Sequence, residues 1–229
     1  MKKALIVRGG WEGHWPKETT NTFIPFLQEH SYEVRVEEST AVYADSIYMQ
    51  TVDLILQCIS MGTIKENEFA GLEDAVIRGA GFAGWHGGVV CAFPNTPRYM
   101  QMTGGVFVGH PGKSSEECVG NETDYFVPHS YVITDAGKVH EITRDIEDFD
   151  LVTEQYWVLQ DTYNQVLATT TQKVRLGDPW HEEVTSPAIW TRRWGAGKIF
   201  IITCGHNLDV VMERNVHLII ERGLLWASK

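Results

Sequence analysis

Short apolar runs alternate along the chain with amphipathic segments, a pattern typical of a mainly parallel sheet covered by helices. One segment, residues 125–134, has period-two features and predicts an antiparallel strand that ends in a turn at residues 135–138. Between the last two apolar runs, residues 195–197 predict a hairpin loop with glycine at positive φ. The apolar runs themselves predict strands at residues 4–8, 33–36, 53–59, 81–85, 166–171, 188–194 and 198–203.

Three amphipathic segments predict the main helices. The first begins near Thr19 or Thr20, because threonine is favoured at the N-cap position. The second covers residues 65–78, where apolar side chains share one stripe and a glycine follows. The third is a long closing helix at about residues 208–226. The sequence therefore predicts one α/β domain over residues 1–229, without repeats or low-complexity segments.

The composition argues against several classes of function. Of the 229 residues, 43% are hydrophobic and 21% are charged, so the chain can bury a sizeable core. The formal net charge of −11 argues against a nucleic-acid partner, because phosphate binding needs a basic surface. The same charge argues against anionic membrane surfaces, and no apolar stretch approaches the length of a transmembrane helix.

The first residues and the cysteines indicate a cytoplasmic protein. Arg8 interrupts the first apolar run after four residues, so we expect a buried strand there and not a signal peptide. The cysteines are far apart and form no C-x-x-C pair, which is typical of reduced thiols. The four cysteines are Cys58, Cys91, Cys118 and Cys204.

Histidines follow three of the predicted strands, at the point where each strand ends. His14 comes after the first strand, His86 follows the strand at residues 81–85, and His206 follows the last strand. Ligands of open α/β sheets bind at the carboxyl ends of the strands, so we expect these three loops to meet at one edge. His110 ends a glycine-rich segment, residues 104–110, which we expect to be a loop that folds over that edge.

The segment Gly84-Trp85-His86-Gly87-Gly88 has the G-x-X-x-G form of a nucleophile elbow, a sharp turn from a strand into a helix. The central position, which is usually serine or cysteine, is His86. Cys91 lies five residues further on, inside the predicted helix, and is expected to be a packing residue. A cysteine–histidine amidase mechanism is therefore disfavoured. His86 is left as a general base, a hydrogen-bond donor or a metal ligand.

An acidic residue beside two aromatic residues marks the segment at residues 150–157. Glu154 is a candidate general acid or base, or an oxygen ligand for a metal, and the alternative is a solvated loop carboxylate. Aromatic side chains can form flat walls around a sugar ring, but they are also common core residues. The aromatic candidates for such walls are Trp11, Trp15, Trp85, Tyr156 and Trp157.

Six short motifs lie along residues 5 to about 210, and their order and spacing are specific when taken together. In this combination the chain resembles the ThuA-like (trehalose utilisation) family. One departure is Glu141, where relatives often have proline, and we expect this change to alter the turn and not the cleft. The motifs are Gly13-His14 with Thr19-Thr20, Gly84-Trp85-His86-Gly87-Gly88, Gly104-Gly105 through Gly109-His110-Pro111, His140-Glu141-Ile142-Thr143, Thr153-Glu154-Gln155-Tyr156, and Pro187-Ala188-Ile189-Trp190 through Gly205-His206-Asn207.

The resemblance implies both a fold and a class of substrate. The ThuA-like family is similar to the class I glutamine amidotransferases, which implies a flavodoxin-like three-layer sandwich with a mainly parallel sheet. The resemblance places His86 where amidotransferases carry a nucleophilic cysteine, and His206 where they carry a catalytic histidine. The family generally lacks that cysteine, so amidotransferase activity is not implied. Its association is with the catabolism of trehalose and related disaccharides, including oxidised keto-sugar derivatives.

We therefore expect an enzyme of carbohydrate metabolism that acts on a trehalose-related disaccharide or a keto-sugar in a histidine-rich cleft. The candidate catalytic residues are His86, His206 and Glu154. A divalent metal such as zinc would be held by His14, His86 and His206. No nucleotide cofactor is expected, because no glycine-rich segment matches a phosphate-binding motif. The candidate substrate-binding residues are His14, Trp85, His110, Tyr156 and Asn207.

Two other classes of function stay open at this point. The chain could be a non-catalytic sugar-binding or regulatory domain, because a glycine-lined polar cleft serves binding as well as catalysis. A cysteine-dependent hydrolase would use Cys58 or Cys204, but neither cysteine lies in an elbow sequence. A homo-oligomer is compatible with each of these functions.

Overall fold

The computed structural model describes residues 1–111 and 125–229. Cys118 and the rest of residues 112–124 lie outside the described residues. The described chain forms a nine-stranded sheet, in the order β2-β1-β3-β4-β11-β10-β9-β6-β7, and a two-stranded ribbon of β5 and β8. The strands are β1 Lys2–Gly10, β2 Tyr32–Glu37, β3 Leu54–Ser60, β4 Gly81–Trp85, β5 Gly105–Gly109, β6 Phe126–Ile133, β7 Phe149–Glu154, β8 Trp157–Gln160, β9 Gln165–Gln172, β10 Val184–Trp194 and β11 Gly197–Ile202.

The large sheet is mostly parallel. Five strands that are adjacent in the sheet pair with one another in parallel, in the order β2, β1, β3, β4 and β11. β10 is antiparallel to both β11 and β9, and β6 is antiparallel to both β9 and β7. Two strands of the nine therefore run against the other seven. All eight predicted strands are present, including the antiparallel one, and Gly195 at φ 60 forms the predicted hairpin loop.

Hydrophobic side chains cover both faces of the sheet, so the fold has three layers. Along β1, Ala4 and Ile6 point into one core, and Leu5 and Val7 point into the other. Helices α2, α8 and α9 cover the first face, and α3 to α6 cover the second. The helices are α1 Pro16–Asn21, α2 Phe23–Glu29, α3 Ser46–Met49, α4 Glu66–Ile77, α5 Gly87–Val90, α6 Pro97–Thr103, α7 Asp135–Val139, α8 Leu208–Val211 and α9 Arg214–Ala227. Among these described helices, none combines the length and the apolar character needed to cross a membrane.

Several predicted helix boundaries were wrong. The first helix begins at Pro16 and not near Thr19 or Thr20, because proline at the first helical position has its φ preset for a helix. The predicted closing helix is two helices. The side chain of Glu213 accepts hydrogen bonds from the backbone N–H groups of Asn215 and Val216, and it thereby caps the start of the second helix, α9. The predicted turn at 135–138 is a short helix, which is capped by the preceding threonine.

The segment at residues 104–110 forms strand β5 and not the predicted loop. β5 pairs with β8, which the sequence pattern did not reveal, and β7 was also missed. β6 pairs with β9 only through Val132 and Ile133. The rest of the β6–β7 hairpin, where Phe126 pairs with Glu154, extends beyond that short contact. This hairpin therefore brings the end of β7 to the carboxyl edge of the parallel strands.

Candidate functional site

Four buried side chains from distant parts of the chain meet at the carboxyl edge of the sheet: His14, His86, Glu154 and His206, called here the His/Glu cluster. His14 ends a 3-10 turn after β1, and Glu154 is the last residue of β7. His86 follows β4, and His206 follows β11. One ligand atom from each residue lies within 4.8 Å of the other three, so the cluster could hold a metal ion.

Three atoms of the His/Glu cluster form a nearly equilateral triangle. Oε2 of Glu154 lies 3.1 Å from Nε2 of His86 and 3.1 Å from Nδ1 of His206. The two imidazole nitrogens are 3.3 Å apart. These three atoms therefore lie close enough together to share one small ion. None of the four side chains of the cluster is more than 7% exposed, so water competes little for such an ion.

His86 is held in a strained elbow. Its backbone has φ 51 and ψ −147, and the flanking glycines allow close approach, since a Cβ at Gly87 would lie 2.4 Å from Cε1 of His14. The Nδ1 atom is 2.7 Å from the carbonyl oxygen of Thr203. A carbonyl oxygen only accepts, so Nδ1 carries the proton and Nε2 presents its lone pair to Glu154. The elbow thus fixes which nitrogen of His86 faces the cluster.

His14 is positioned by the end of the neighbouring strand. Its Nδ1 atom makes a 2.6 Å hydrogen bond with the hydroxyl of Ser60, the last residue of β3. Trp15 follows His14 with φ 47, and Met61 follows Ser60 with φ 51. Left-handed backbone is costly for such side chains and is retained where the surrounding structure enforces it. Of the five described non-glycine residues with positive φ, His86 belongs to the cluster, Trp15 follows His14, and Met61 follows Ser60, which holds the His14 ring.

Burial determines the charge state of the cluster. It lowers the pKa of His14 to about 2, with the neighbouring imidazoles adding to the effect, and it also lowers the pKa of His86. Burial alone would raise the pKa of Glu154, but the close contacts with His206 and His86 outweigh it and hold that pKa well below its usual range. A carboxylate thus lies beside the imidazoles of His14 and His86, whose charged forms burial disfavours, in a donor set that could hold a cation.

Tyr156 and His110 border the cluster. The Tyr156 hydroxyl lies 2.7 Å from Nε2 of His86, and the two rings stack with centroids 4.3 Å apart. Burial raises the pKa of Tyr156 well above its usual value, so its hydroxyl stays protonated. Nε2 of His110 lies 3.7 Å from Oε2 of Glu154, and the ring stacks on Tyr125. Both predicted substrate-binding residues are therefore adjacent to the cluster.

Two other predicted substrate-binding residues are placed differently. Trp85 is 1% exposed and packs against Phe23 in the hydrophobic core, so its indole is not a wall of an open cleft. Asn207 accepts a hydrogen bond from the backbone of Val210 and caps α8. It also lines a neighbouring cleft of about 330 Å³ with Phe126, Asp150, Leu151, Val152, Asp209, Val210 and Glu213. Trp85 and Asn207 therefore both make structural contacts, Trp85 in the hydrophobic core and Asn207 at the start of α8.

None of the three described cysteines takes part in the His/Glu cluster. Cys58 and Cys204 are buried, and burial raises the pKa of each thiol to about 12. Cys91 is half-buried after the short helix α5, and burial raises the pKa of its thiol as well. A nucleophilic thiolate is disfavoured at each of these described positions, because the reactive form is the ionised one.

Ser60 was not predicted from the sequence, and Trp11 was predicted only as one of several candidate walls for a sugar ring. Ser60 ends β3, so the same reasoning about strand ends that selected the histidines could have selected it. Trp11 is 46% exposed, and its ring lies 4.7 Å from the His14 ring and 6.3 Å from the His206 ring. Its place at the mouth depends on how the loop folds, which the residue pattern does not reveal.

The fold and the site define an α/β protein with a buried histidine–glutamate cluster at the carboxyl edge of its sheet. A family model described as ThuA, trehalose utilisation, matches residues 3–227. The chain therefore belongs to the ThuA family, which confirms the resemblance drawn from the motifs. Among curated proteins, no significant match was found.

Solved structures share this fold at low sequence identity. A ThuA-like protein from Bacteroides uniformis has a TM-score of 0.73 at 14% identity, over 99% of this chain and 91% of that chain. A ThuA-like protein from Parabacteroides merdae has a TM-score of 0.69 at 15% identity, over 99% and 89%. A cytoplasmic protein from Salmonella typhimurium LT2 has a TM-score of 0.66 at 14% identity, over 99% and 100%. At these identities the similarities show the fold alone.

Proposed function

We propose that this protein is a metal-dependent enzyme of carbohydrate metabolism, which acts on a trehalose-related disaccharide or a keto-sugar at the His/Glu cluster. The observation that carries the proposal is the triangle of lone-pair atoms from His86, His206 and Glu154, with edges of 3.1 to 3.3 Å. The description of the family, trehalose utilisation, supports a carbohydrate as the substrate.

The geometry of the cluster fits a small divalent cation. Tetrahedral zinc, with ligands at 2.0–2.1 Å, requires its ligand atoms to be about 3.3 Å from one another. The three edges of the triangle match that spacing, and His14 supplies a fourth donor within 4.8 Å. Three imidazoles and one carboxylate are ligand types that zinc and similar first-row ions accept. His14, His86, Glu154 and His206 would therefore hold the ion.

The donor lone pairs give an independent reason for a cation. Nε2 of His86 has one lone pair, yet it faces the Glu154 carboxylate, the Tyr156 hydroxyl and Nδ1 of His206 within 3.3 Å. When no ion is bound, the Tyr156 hydroxyl can donate its proton to Nε2 of His86. A cation at the centre of the triangle would be coordinated by Nε2 of His86, Nδ1 of His206 and Oε2 of Glu154 together.

The protein's own residues supply binding and proton transfer around that centre. When bound, such a metal polarises a carbonyl oxygen or lowers the pKa of a bound water. The protonated hydroxyl of Tyr156 can donate a hydrogen bond to a ligand oxygen beside His86. His110 is 19% exposed at its side chain and faces Glu154, so it can exchange protons between the site and solvent. Substrate orientation and proton transfer are thus assigned to residues that border the cluster.

We also propose that the fold is flavodoxin-like and related to that of the class I glutamine amidotransferases. The order β2-β1-β3-β4-β11 of the parallel strands matches the 2-1-3-4-5 order of flavodoxin-like sheets. His86 occupies a strained elbow between a strand and a helix, as a nucleophile would. Because that residue is histidine and the described cysteines are buried or half-buried, amidotransferase activity is not proposed.

The test combines metal analysis with a turnover assay. Protein purified without a histidine tag should contain one metal ion per chain, lose it to a chelator and regain it from zinc. The reloaded protein should turn over at least one member of a panel of disaccharides and 3-keto-glycosides, and His86→Ala should abolish that turnover. A wild type that binds sugar with no turnover on the whole panel would instead indicate a non-catalytic binding domain.

A further inference from the structure

Trp11 is a large apolar side chain left open to solvent at the mouth of a buried polar site. It is 46% exposed, although tryptophan usually buries most of its surface. Its ring meets the His14 ring edge to face with centroids 4.7 Å apart, and it lies 6.3 Å from the His206 ring. A molecule that reaches the His/Glu cluster past these two histidines therefore passes the exposed surface of Trp11.

The loop holds this indole in place. The Trp11 backbone N–H donates to the carbonyl oxygen of Ser60 at 3.0 Å, which ties the residue to the end of β3. Gly13 lies against the six-membered ring, where a Cβ would come within 2.3 Å of Cζ2 of Trp11. Only glycine at position 13 allows the indole to fold back over its own turn. This contact gives a physical role to the glycine of the Gly13-His14 motif.

We propose that Trp11 is a specificity-determining residue whose indole stacks against the apolar face of a hexopyranose ring. A pyranose has a face of C–H groups and a rim of hydroxyls, so it can place the face on an aromatic ring and the rim towards polar side chains. The Trp11 ring contacts the His14 ring, so an exposed apolar surface and the polar His/Glu cluster lie side by side. This inference rests on the proposed function, because it concerns the substrate of the same site.

Trp15 provides a matched control in the same loop. It is 47% exposed, almost the same fraction as Trp11. Among the described residues, however, its ring has no aromatic contact with the cluster, whereas the Trp11 ring contacts two of its histidines. A general loss of exposed aromatic surface would affect both variants alike. An effect restricted to Trp11 would indicate stacking at the site.

The experiment is saturation-transfer difference NMR of trehalose with the zinc-loaded full chain. In the wild type, we expect transfer to the ring protons of one glucose unit. Trp11→Ala should weaken trehalose binding by about tenfold or more, Trp11→Phe should retain part of it, and Trp15→Ala should leave it unchanged. Equal signals in wild type and Trp11→Ala would overturn the inference, as would a zinc-loaded wild type that gives no transfer.

A zinc titration separates this inference from the proposed function. Trp11→Ala should bind zinc with the wild-type affinity, because the indole contributes no ligand atom. If the wild type binds no metal but its trehalose signal still depends on Trp11, the stacking role stands and the metal-dependent function falls. If zinc binds and the trehalose signal is the same in the wild type and in Trp11→Ala, the stacking role alone is overturned.

Discussion

Nε2 of His86 lies 3.1 Å from Oε2 of Glu154, although the two residues are 68 positions apart in the chain. The proton of the His86 ring is committed to the Thr203 carbonyl on the opposite nitrogen. The contact therefore sets an imidazole lone pair against a carboxylate in a buried site. A cation between the two atoms would relieve their repulsion, and the nearby Nδ1 atom of His206 would complete a ligand triangle for the proposed cation.

Ser60 should tune the affinity of the site for metal. Its hydroxyl orients the His14 ring through a 2.6 Å hydrogen bond, and loss of such a partner typically costs about 10–100-fold in metal affinity. We therefore expect Ser60→Ala to weaken zinc binding by that factor in isothermal titration. Ser186→Ala removes another buried serine hydroxyl, which bonds Val158, and should leave the zinc affinity unchanged. Equal affinities for both variants would contradict this role of Ser60.

Gly87→Ala should disturb the site through a steric clash. The new Cβ would lie 2.4 Å from Cε1 of His14 and 2.8 Å from its Nδ1 atom, so the ring must move. We expect at least about tenfold weaker zinc binding, the low end of the loss seen when a residue that orients a metal ligand is changed. Gly109→Ala is the control, because nothing lies within 4 Å of a Cβ at that position. If both variants bind zinc like the wild type, His14 is not held as described.

The stability of the metal-free protein should fall as the pH drops below about 6.5. In the unfolded chain His14 gains a proton near its ordinary pKa of 6.5, whereas in the fold its pKa is lowered to about 2 by burial and neighbouring imidazoles. Protons therefore favour the unfolded state across that interval. One excluded proton corresponds to about 1.4 kcal/mol per pH unit, or about 2 kcal/mol between pH 6.5 and 5.0.

Urea denaturation at pH 7.5 and pH 5.0, with a chelator present, measures this effect. His14→Gln has no such proton to exclude, so its free energy of unfolding should change less between the two pH values than that of the wild type. Other carboxylates and histidines contribute similarly to both proteins and cancel in the comparison. An identical pH dependence for the two proteins would show that His14 titrates normally in the fold.

The buried thiols should be inert in the native protein. Burial raises the pKa of Cys58 and Cys204 to about 12, so little thiolate exists at pH 8. Iodoacetamide should leave both residues unmodified in the native chain and alkylate them after denaturation, as measured by peptide mass spectrometry. Rapid native alkylation with loss of turnover would instead support the cysteine-dependent hydrolase.

The sequence predicted the parts of the site that depend on local pattern. Each strand of the parallel half is a short apolar run, so the residues that follow the strands could be identified as neighbours at one edge. That reasoning found His14, His86 and His206, and Gly84-Trp85-His86-Gly87-Gly88 indicated the elbow. The metal-binding and catalytic roles of these residues stay predictions until the experiments are done.

The rest of the site depends on contacts that no local pattern contains. Glu154 was selected only as an acidic residue beside two aromatic residues, and its place in the cluster could not be predicted. It is carried by β7, whose apolar and polar residues alternate too weakly to indicate a strand, and the β6–β7 hairpin pairs with β9 at only two positions. Trp85 lies in a strand next to His86, yet alternation turns its side chain into the core. Proximity in sequence therefore suggested a substrate contact for Trp85 that its burial argues against.

The central claim is that the His/Glu cluster binds one metal ion through Glu154 and the histidines. Isothermal titration of chelator-treated protein with zinc tests it most directly. The wild type should bind one zinc per chain, and Glu154→Gln should bind it at least about 100-fold more weakly, the upper end of the loss for an outer contact. Glu68→Gln, which alters a buried glutamate outside the cluster, should match the wild type. A wild type that binds no zinc, or a Glu154→Gln variant that binds it equally well, would contradict the account.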